Sequence, residues 1–381
     1  MARMALLALL LLLPGGVAFG KSGTIYTPEE IRETLSVRLS TDEVSTLMIP
    51  FEGDQEISRL ATKLTQNARN EHQKLKSLLA YFRKQGFYEK YDKSRTRTAR
   101  EVMTDGIGNC LSYANLFVAM ARAVGLEAVY LDASQVHSDF GRAGRVLVDY
   151  KHIMVGIKIG ADLIPVDFDG HARKFNRYQI ISDLHATADF YNNLGFERSY
   201  VEQNQKGFAA NEVAGAFDLA TRIWPGFARA WNNLGVAFIR SGRTKQGLLA
   251  YLKAIKADKQ LAAPYFNLGQ VYARGGKIDQ AISAFKRAVA LDPENAHYLY
   301  FLGKNLARQG NLEEALTQLE KGAKLDAGFF LIHMKMADIY YELQACNRAR
   351  QSASRVLEIV PGHRDASQLM KKLHKICGQA G

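Results

Sequence analysis

The chain has 381 residues, more than one hydrophobic core usually serves, so we expect two domains. Hydrophobic residues make up 47% of it, a content typical of a soluble globular protein. The formal net charge is +12, but no nucleic-acid-binding motif accompanies it, which argues against DNA or RNA as a partner. Histidines, cysteines and carboxylates do not recur at metal-ligand spacing, so no metal or other cofactor is expected.

Residues 1–20 have the pattern of a cleaved signal peptide. Arg3 supplies a positive charge, residues 6–13 form an apolar run, and Pro14 breaks it before a stretch of small residues. The run is shorter than the about 20 residues that span a bilayer, so no transmembrane span is expected. We expect export to the bacterial periplasm, or secretion, with the mature chain beginning near Lys21. An uncleaved anchor is the alternative.

Residues 21–91 show helical spacing, and a basic cluster lies between residues 83 and 100, just before the cysteine motif. A helix start is indicated at Thr27-Pro28, which pairs a capping residue with a proline in the first turn. The basic residues are Arg83, Lys84, Lys90, Lys93, Arg95, Arg97 and Arg100. Such a cluster could steer an anionic substrate or bind a cell-wall surface. The alternative is a solvated face of the domain without a partner.

A glycine-rich turn directly precedes a cysteine and an amphipathic helix. Gly106-Ile107-Gly108-Asn109 leads into Cys110, and apolar residues then recur at helical spacing as far as Gly125. Free backbone N–H groups at a helix start favour a thiolate and can hold the oxyanion formed when it attacks a carbonyl. Gly108 and Asn109 are therefore expected at the turn and the oxyanion site. The alternative is a small cysteine buried in a core helix.

Two strands joined by a short polar turn predict a hairpin after this helix. The strands are residues 146–157 and 163–168. In one register His152 lies opposite Asp167; with a two-residue loop at 160–161 it lies opposite Asp169 instead. Both carboxylates share the face of His152, so the histidine meets an orienting carboxylate in either register.

This set of motifs resembles the transglutaminase-like cysteine enzymes, which are papain-like in fold, across about residues 71–170. The resemblance rests on G-x-G-x-C at a helix start, a strand histidine, and a strand that ends in Val-Asp. It implies that Cys110 is the nucleophile, His152 the base and later the acid, and Asp167 the residue that orients the imidazole. One departure is Ile153-Met154 after the histidine, where many relatives carry Ala-Trp.

The chemistry implied is acyl transfer at an amide through a Cys110 thioester. Water as acceptor would make the protein a peptidase or amidase, and an amine would make it a transglutaminase. The triad does not separate these, and hydrolysis is favoured only because most bacterial relatives are thought of as peptidase-like. The competing class is a non-catalytic binding protein with a transglutaminase-like platform.

The remainder of the chain repeats with a period of 34 residues. The first row is Leu234-Gly235, Leu268-Gly269, Leu302-Gly303 and Met336-Ala337. Other rows are Pro225, Pro293 and Pro361; Ala281, Ala315 and Ala349; and Tyr251, Phe285 and Leu319. This period resembles the tetratricopeptide family over about residues 228–361, with a degenerate repeat near 191–225 and a closing helix near 364–376.

The expected fold is therefore an α+β papain/transglutaminase-like catalytic domain followed by an all-α tetratricopeptide solenoid. The expected order is a signal peptide at 1–20, the catalytic domain at 21–185 and the solenoid at 186–381.

The solenoid is expected to bind a protein or peptide partner in its concave groove. By resemblance to the family, two rows of the first helices line that groove. From these rows we take Asn232, Phe266, Tyr300, Lys304 and Met334 as candidate groove residues. The alternative is that the aromatic and methionine side chains pack between neighbouring repeats.

The sequence holds three cysteines, an odd number, and in an exported protein such a count usually leaves one unpaired. Cys346 lies at the turn between helices of the last repeat, and Cys377 lies at the end of the closing helix. On the repeat grid these two ends are adjacent, so a Cys346–Cys377 disulfide is predicted, with Cys110 free.

Overall fold

The computed structural model describes residues 23–87, 90–133, 140–143, 146–149, 152–168, 178–204 and 210–378. The chain divides into two compact units, and the main boundary between them falls between Phe227 and Ala228. The predicted signal peptide at 1–20 lies outside the described residues.

The first unit is built around one helix that is buried on all sides. Its helices before the sheet are α1 (Pro28–Leu35), α2 (Thr41–Ser45), α3 (Gln55–Thr65), α4 (Glu71–Lys84), α5 (Ala99–Asp105) and α6 (Cys110–Ala123). Every residue of α6 from Cys110 to Ala121 is buried, because α3, α4, α5 and two strands of the sheet pack around it. Local signals start the outer helices: Thr27 and Thr98 each form a capping box with the glutamate three residues on.

The sheet is antiparallel and lies against α6. The strands are β1 (Glu127–Asp132), β2 (Phe140–Ala143), β3 (Val146–Asp149), β4 (Ile153–Ile159), β5 (Asp162–Val166) and β6 (Gln179–Ile181). Four of them form a sheet in the order β5-β4-β1-β6, and β2 pairs with β3 separately. The single strand predicted at residues 146–157 is therefore two strands in different sheets, with His152 at the start of β4.

Helices make up the rest of the chain. They are α7 (Asp183–Asn204), α8 (Ala210–Ile223), α9 (Ala228–Arg240), α10 (Thr244–Ala257), α11 (Ala262–Arg274), α12 (Ile278–Leu291), α13 (Ala296–Gln309), α14 (Leu312–Leu325), α15 (Phe330–Glu342), α16 (Cys346–Ile359) and α17 (Arg364–Cys377). Consecutive helices pack as pairs from α9 to α16, and α17 packs on α16. The predicted closing helix and the helical array are confirmed, with α7 and α8 at the position of the degenerate repeat.

The repeating glycine of the second unit is required by close helix packing. Gly235, Gly269 and Gly303 face Tyr251, Phe285 and Leu319 of the paired helix. A Cβ atom at any of these glycines would lie 2.6–2.7 Å from the facing side chain, closer than a packed carbon can approach. The glycine row and the row of large residues are therefore two sides of one contact, repeated every 34 positions.

Candidate active site

Cys110 is the first residue of α6 and is 7% exposed. Asn109 caps the helix, and its side chain accepts a hydrogen bond from Ser112 N at 3.0 Å. Glycine is required at Gly106 and at Gly108 for different structural reasons. Gly106 ends α5 in the left-handed conformation, with a φ of 73°, and a Cβ at Gly108 would lie 2.5 Å from Ser112 Cβ. The glycines of the G-x-G-x-C motif therefore allow the tight turn between the end of α5 and the start of α6 at Cys110.

His152 and Asp167 meet beside the sheet. His152 Nε2 and Asp167 Oδ1 are 2.9 Å apart, and the side chains are 16% and 20% exposed. A backbone N–H group holds each residue, at the carbonyl oxygen of His152 and at the carboxylate of Asp167. Ala133 N donates to His152 O at 3.0 Å, and Phe168 N donates to Asp167 Oδ1 at 2.7 Å. The bond through Nε2 leaves Nδ1 as the ring nitrogen available to a second partner.

The hairpin register differs from the one that would place His152 directly opposite Asp167. Strand β4 pairs with β5 so that Ile159 faces Asp162 and Val155 faces Val166. This is the two-residue loop at 160–161, in which the position opposite His152 is 169 rather than 167. Asp167 nevertheless makes the hydrogen bond, because a residue two positions away on the same face is a diagonal neighbour that a histidine side chain can reach. Asp169 lies outside the described residues.

Phe168 fixes the end of β5. Its side chain is 1% exposed, and its ring lies 5.3 Å from that of Phe82 and 5.4 Å from that of Phe117, centroid to centroid. Phe117 belongs to α6, two turns after Cys110. The residue next to Asp167 is therefore packed on the same helix that carries the cysteine, which restricts the position of the carboxylate.

His152 also forms a side-chain hydrogen bond with Cys110. Burial by itself lowers the pKa of His152, but the hydrogen bonds to Asp167 and Cys110 and the charges of both partners raise it to about 10. The imidazole is therefore protonated at neutral pH. An imidazolium between a carboxylate and a cysteine is the arrangement that stabilises a thiolate nucleophile.

The predicted oxyanion role of Asn109 does not agree with its hydrogen bonds. Its N–H donates to Arg95 O at 3.0 Å, and its side-chain amide donates to Thr96 Oγ1 at 2.9 Å. Asn109 therefore acts as the helix cap and as part of the turn. Since Asn109 also caps the N–H groups of Ser112 and Tyr113, those of Cys110 and Leu111 are the first-turn donors outside the cap.

A polar stripe on α6 holds the segment that precedes the site, and the sequence analysis missed it. Asn109, Ser112 and Asn115 are buried and lie three residues apart. Arg97 N donates to Ser112 Oγ at 2.8 Å, and Asn115 Nδ2 donates to Arg97 O at 3.1 Å. The signal was present in the sequence as polar residues at helical spacing in an otherwise apolar helix.

Ion pairs account for three residues of the basic cluster. Arg95 pairs with Asp92 at 3.3 Å, Arg97 pairs with Glu197 at 3.3 Å, and Arg100 pairs with Asp54. The other four are exposed: Arg83, Lys84, Lys90 and Lys93. Three of the seven residues of the predicted cluster thus pair with carboxylates of the same unit, and the other four are the part that could meet an anionic surface.

The predicted groove residues of the second unit are mostly packing residues. Asn232, Phe266 and Tyr300 are 2%, 2% and 8% exposed. Phe266 and Tyr300 belong to one hydrophobic cluster between repeats, so neither ring offers an open anchor to a peptide. Lys304 and Met334 are partly exposed, and the Lys304 ammonium lies 5.9 Å from the centre of the Tyr300 ring.

Among the described side chains, the free cysteine is Cys110. Cys346, at the start of α16, is disulfide-bonded. The side chain of Cys377 lies outside the described residues, so the Cys346–Cys377 pairing stays a prediction. Within the described ranges, no helix is both long and apolar enough to cross a membrane. The same residues contain no group of three or more His, Cys, Asp or Glu side chains that could hold a metal ion.

Two family models match the chain. Residues 58–168 match the transglutaminase-like superfamily. Residues 198–262 and 266–328 match the tetratricopeptide repeat. The chain therefore contains a transglutaminase-like domain followed by tetratricopeptide repeats, as the sequence motifs predicted. Among curated proteins, no match was found.

Several solved structures are similar to about a third to a half of the chain. YrrB, described as a tetratricopeptide protein with an unusual peptide-binding site, is 22% identical, with a TM-score of 0.41 over 48% of this chain and 92% of its own. PilF of Pseudomonas aeruginosa is 22% identical, with a TM-score of 0.45 over 51% of this chain and 85% of its own. The first tetratricopeptide domain of Spaghetti (RPAP3), bound to an HSP90 peptide, is 21% identical, with a TM-score of 0.31 over 32% of this chain and 96% of its own.

Proposed function

We propose that the first unit is a cysteine-dependent acyl-transfer enzyme that acts on amide bonds. The observation that carries the proposal is a single imidazole hydrogen-bonded both to Cys110 and to the carboxylate of Asp167. The transglutaminase-like match over residues 58–168 supports the same class of chemistry. In this proposal Cys110 is the nucleophile, His152 transfers the proton, and Asp167 orients the ring.

The first half-reaction forms a thioester. The Cys110 thiolate attacks the carbonyl carbon of the amide, a C–S bond forms, and the carbonyl oxygen takes up the negative charge. The N–H groups of Cys110 and Leu111 are the proposed donors to this oxyanion, because the next donors of the helix are engaged by Asn109. The imidazolium of His152 then gives its proton to the leaving amine as the C–N bond breaks.

The second half-reaction releases the acyl group. Neutral His152 takes a proton from the acceptor, which attacks the thioester carbon, and the C–S bond breaks to restore the thiolate and the imidazolium. Water as acceptor gives a carboxylic acid, and a primary amine gives a new amide. We propose hydrolysis as the main outcome and transamidation where an amine competes with water.

An activity-based acyl probe at neutral pH tests the nucleophile. We expect mass spectrometry of the intact protein to show one adduct, with peptide mapping that places it on Cys110 and no adduct on a Cys110→Ser variant. Addition of a labelled primary amine then separates the two acceptors, since incorporation of the amine into the released product identifies transamidation. A wild-type protein that forms no adduct would favour the alternative, a tetratricopeptide scaffold whose transglutaminase-like unit is a binding platform.

We propose that the tetratricopeptide repeats recruit a protein or peptide partner or substrate. With Phe266 and Tyr300 buried, the surface we propose comprises the partly exposed Lys304 and Met334. It also includes the exposed Asp338, which lies one turn after Met334 on α15. A photocrosslinking residue in place of Asp338 on α15 should capture the partner in cells. The matched control replaces Leu252, which is 51% exposed on α10, the second helix of a pair. Equal capture from both positions would contradict a groove-specific interaction.

We also propose that the protein is exported to the bacterial periplasm or secreted after cleavage of residues 1–20. The positively charged start, apolar run and small residues of this segment support the proposal. N-terminal sequencing of the protein purified from its native host should give a chain that begins near Lys21. Retention of Met1 on protein from the membrane fraction would indicate an uncleaved anchor instead.

A further inference from the structure

Glu197, on α7, contacts Thr96 and Arg97. The polar stripe of α6 also bonds to this segment, through Asn109, Ser112 and Asn115. Glu197 Oε2 accepts a hydrogen bond from Thr96 N at 3.0 Å, and Oε1 accepts one from Arg97 Nη1 at 3.3 Å. Arg97 Nη1 also donates to Thr96 O at 2.9 Å. One carboxylate therefore fixes both the backbone of Thr96 and the guanidinium of Arg97.

These contacts are shielded from water. Thr96 is 2% exposed, and the side chains of Arg97 and Glu197 are 20% and 21% exposed. Ion pairs on an open surface contribute little, because solvent screens them and both side chains lose freedom. Charge-assisted hydrogen bonds in a partly desolvated position are stronger and hold the backbone more tightly.

The Glu197 carboxylate is connected to Cys110 through two hydrogen bonds. Glu197 holds Thr96, and Thr96 Oγ1 accepts from Asn109 Nδ2 at 2.9 Å. Asn109 is the cap of α6 and is bonded directly to Cys110. A second path runs from Arg97 N to Ser112 Oγ at 2.8 Å, in the first turn of the same helix.

We propose that Glu197 is a positioning residue for Cys110. It holds Thr96 and Arg97 so that the first turn of α6 keeps its N–H groups directed at the cysteine sulfur and at the oxyanion formed there. The inference rests on the proposed role of Cys110 as nucleophile. Glu197 lies outside residues 58–168, so the working catalytic unit would extend beyond the matched transglutaminase-like segment into α7.

The test compares rates of Cys110 alkylation by iodoacetamide from pH 5 to pH 10. The variants are Glu197→Ala, Glu197→Gln and the control Glu52→Gln, which removes a partly buried carboxylate paired with Arg32 at 2.6 Å. At pH 6 we expect Glu197→Ala to react about fivefold more slowly than wild type, which corresponds to a loss of about 1 kcal/mol in the interaction of the thiolate with the helix N-terminus. The difference between the rates should become smaller toward pH 10, because a larger share of a thiol is ionised there without help from its neighbours. Glu197→Gln still accepts from Thr96 N and should recover part of the rate, and Glu52→Gln should match wild type.

Two results would overturn the positioning role. One is a Glu197→Ala rate equal to wild type at pH 6, and the other is a rate lowered by the same factor at every pH, which a general change in access would give. Hydrogen exchange on the same samples tests the contact itself. Faster exchange at Thr96, Arg97 and Ser112 in Glu197→Ala alone supports the proposal, and unchanged exchange refutes it. Failure of the proposed function is visible separately, as a wild-type thiol that reacts no faster than free cysteine at pH 6.

Discussion

Asp167 and Cys110 each make a different contact with the imidazole of His152. Asp167 fixes the ring through Nε2, and the hydrogen bond to Cys110 couples the ring to the sulfur. Phe168 prevents the carboxylate from moving, since its side chain is packed against α4 and α6. The arrangement of the site thus depends on an aromatic core residue next to Asp167 as well as on the polar residues themselves.

His152→Ala should remove the enhanced reactivity of Cys110. An adjacent imidazolium stabilises the thiolate, so wild-type Cys110 should be alkylated by iodoacetamide at pH 6 about tenfold or more faster than a free thiol. In His152→Ala the rate should fall to that of a free thiol. The measurement is the second-order rate constant, followed by mass spectrometry of the Cys110 peptide.

Asp167→Asn is the companion variant for this experiment. It keeps the volume of the side chain and removes the charge, so a rate between wild type and His152→Ala is expected. Equal slow labelling of all three proteins would identify Cys110 as a structural cysteine.

The raised pKa of His152 also predicts how stability depends on pH. A group whose pKa rises on folding, here from 6.5 to about 10, binds its proton more tightly in the folded state. Its contribution to stability is therefore complete below about pH 6.5 and is lost as the pH rises toward 10. The difference in unfolding free energy between wild type and His152→Gln should shrink across this window in urea titrations. His72→Gln, at an exposed position of α4, is the control. A constant difference between wild type and His152→Gln would contradict the raised pKa.

The candidate residues could be proposed from the sequence because of their local context. Cys110 follows a glycine-rich turn, and Asp167 lies near the end of a predicted strand. The break in the strand before His152 was not readable, since residues 146–157 have the pattern of one strand. The register of the β4–β5 hairpin could not be predicted. Either position of the loop leaves Asp167 and Asp169 on the same face of the strand as each other. The contact with Glu197 was not readable either, since it joins Thr96 to a residue 101 positions later in the chain.

At the level of the elements, close packing of paired helices explains the repeat. Gly269→Ala should destabilise the second unit by about 1–3 kcal/mol, because the new Cβ would lie 2.7 Å from the Phe285 ring. Gly215→Ala is the matched control, a glycine inside α8 with open space around its Cβ position. That change should stabilise its helix by about 0.5–1 kcal/mol.

Urea unfolding followed by far-ultraviolet circular dichroism measures both glycine variants. The expected result is a lower midpoint for Gly269→Ala and an equal or higher midpoint for Gly215→Ala. A loss of similar size in both would mean that the effect comes from the substitution itself and not from the Phe285 contact.

The period of the repeat predicted the helices well and their exposed faces poorly. Spacing of 34 residues places Phe266 and Tyr300 at equivalent positions. It does not say whether an inward-facing ring lines a groove or is covered by the next repeat. Burial answers that question: Phe266 lies 4.8 Å from Tyr298 of the following repeat, ring centre to ring centre. A contact between repeats depends on the side-chain sizes in two neighbouring repeats. One periodic row of the sequence does not contain that information.

At the scale of the whole chain, the first compact unit extends beyond the predicted boundary at residue 185. Helix α7 begins with Asp183, whose carboxylate accepts hydrogen bonds from Arg122 of α6 at 2.8 and 2.9 Å. Together with the Glu197 contacts, this pair holds α7 at two positions, its first residue and Glu197, against the helix that carries Cys110 and its supporting segment. The unit itself continues as far as Phe227.

The predicted Cys346–Cys377 disulfide connects the export proposal with the stability of the helical array. A bond between these residues would close a loop of about 30 residues and attach α17 to the last repeat, which is worth about 3.7 kcal/mol by restriction of the unfolded chain. Cys346→Ser should therefore lower the unfolding free energy of oxidised protein by about that amount and leave reduced protein unchanged. Non-reducing peptide mapping should show the two cysteine peptides linked, with Cys110 alkylated before any reductant is added. Alkylation of Cys377 without reductant would contradict the pairing, and a Cys110→Ser background excludes exchange with the reactive thiol as the cause.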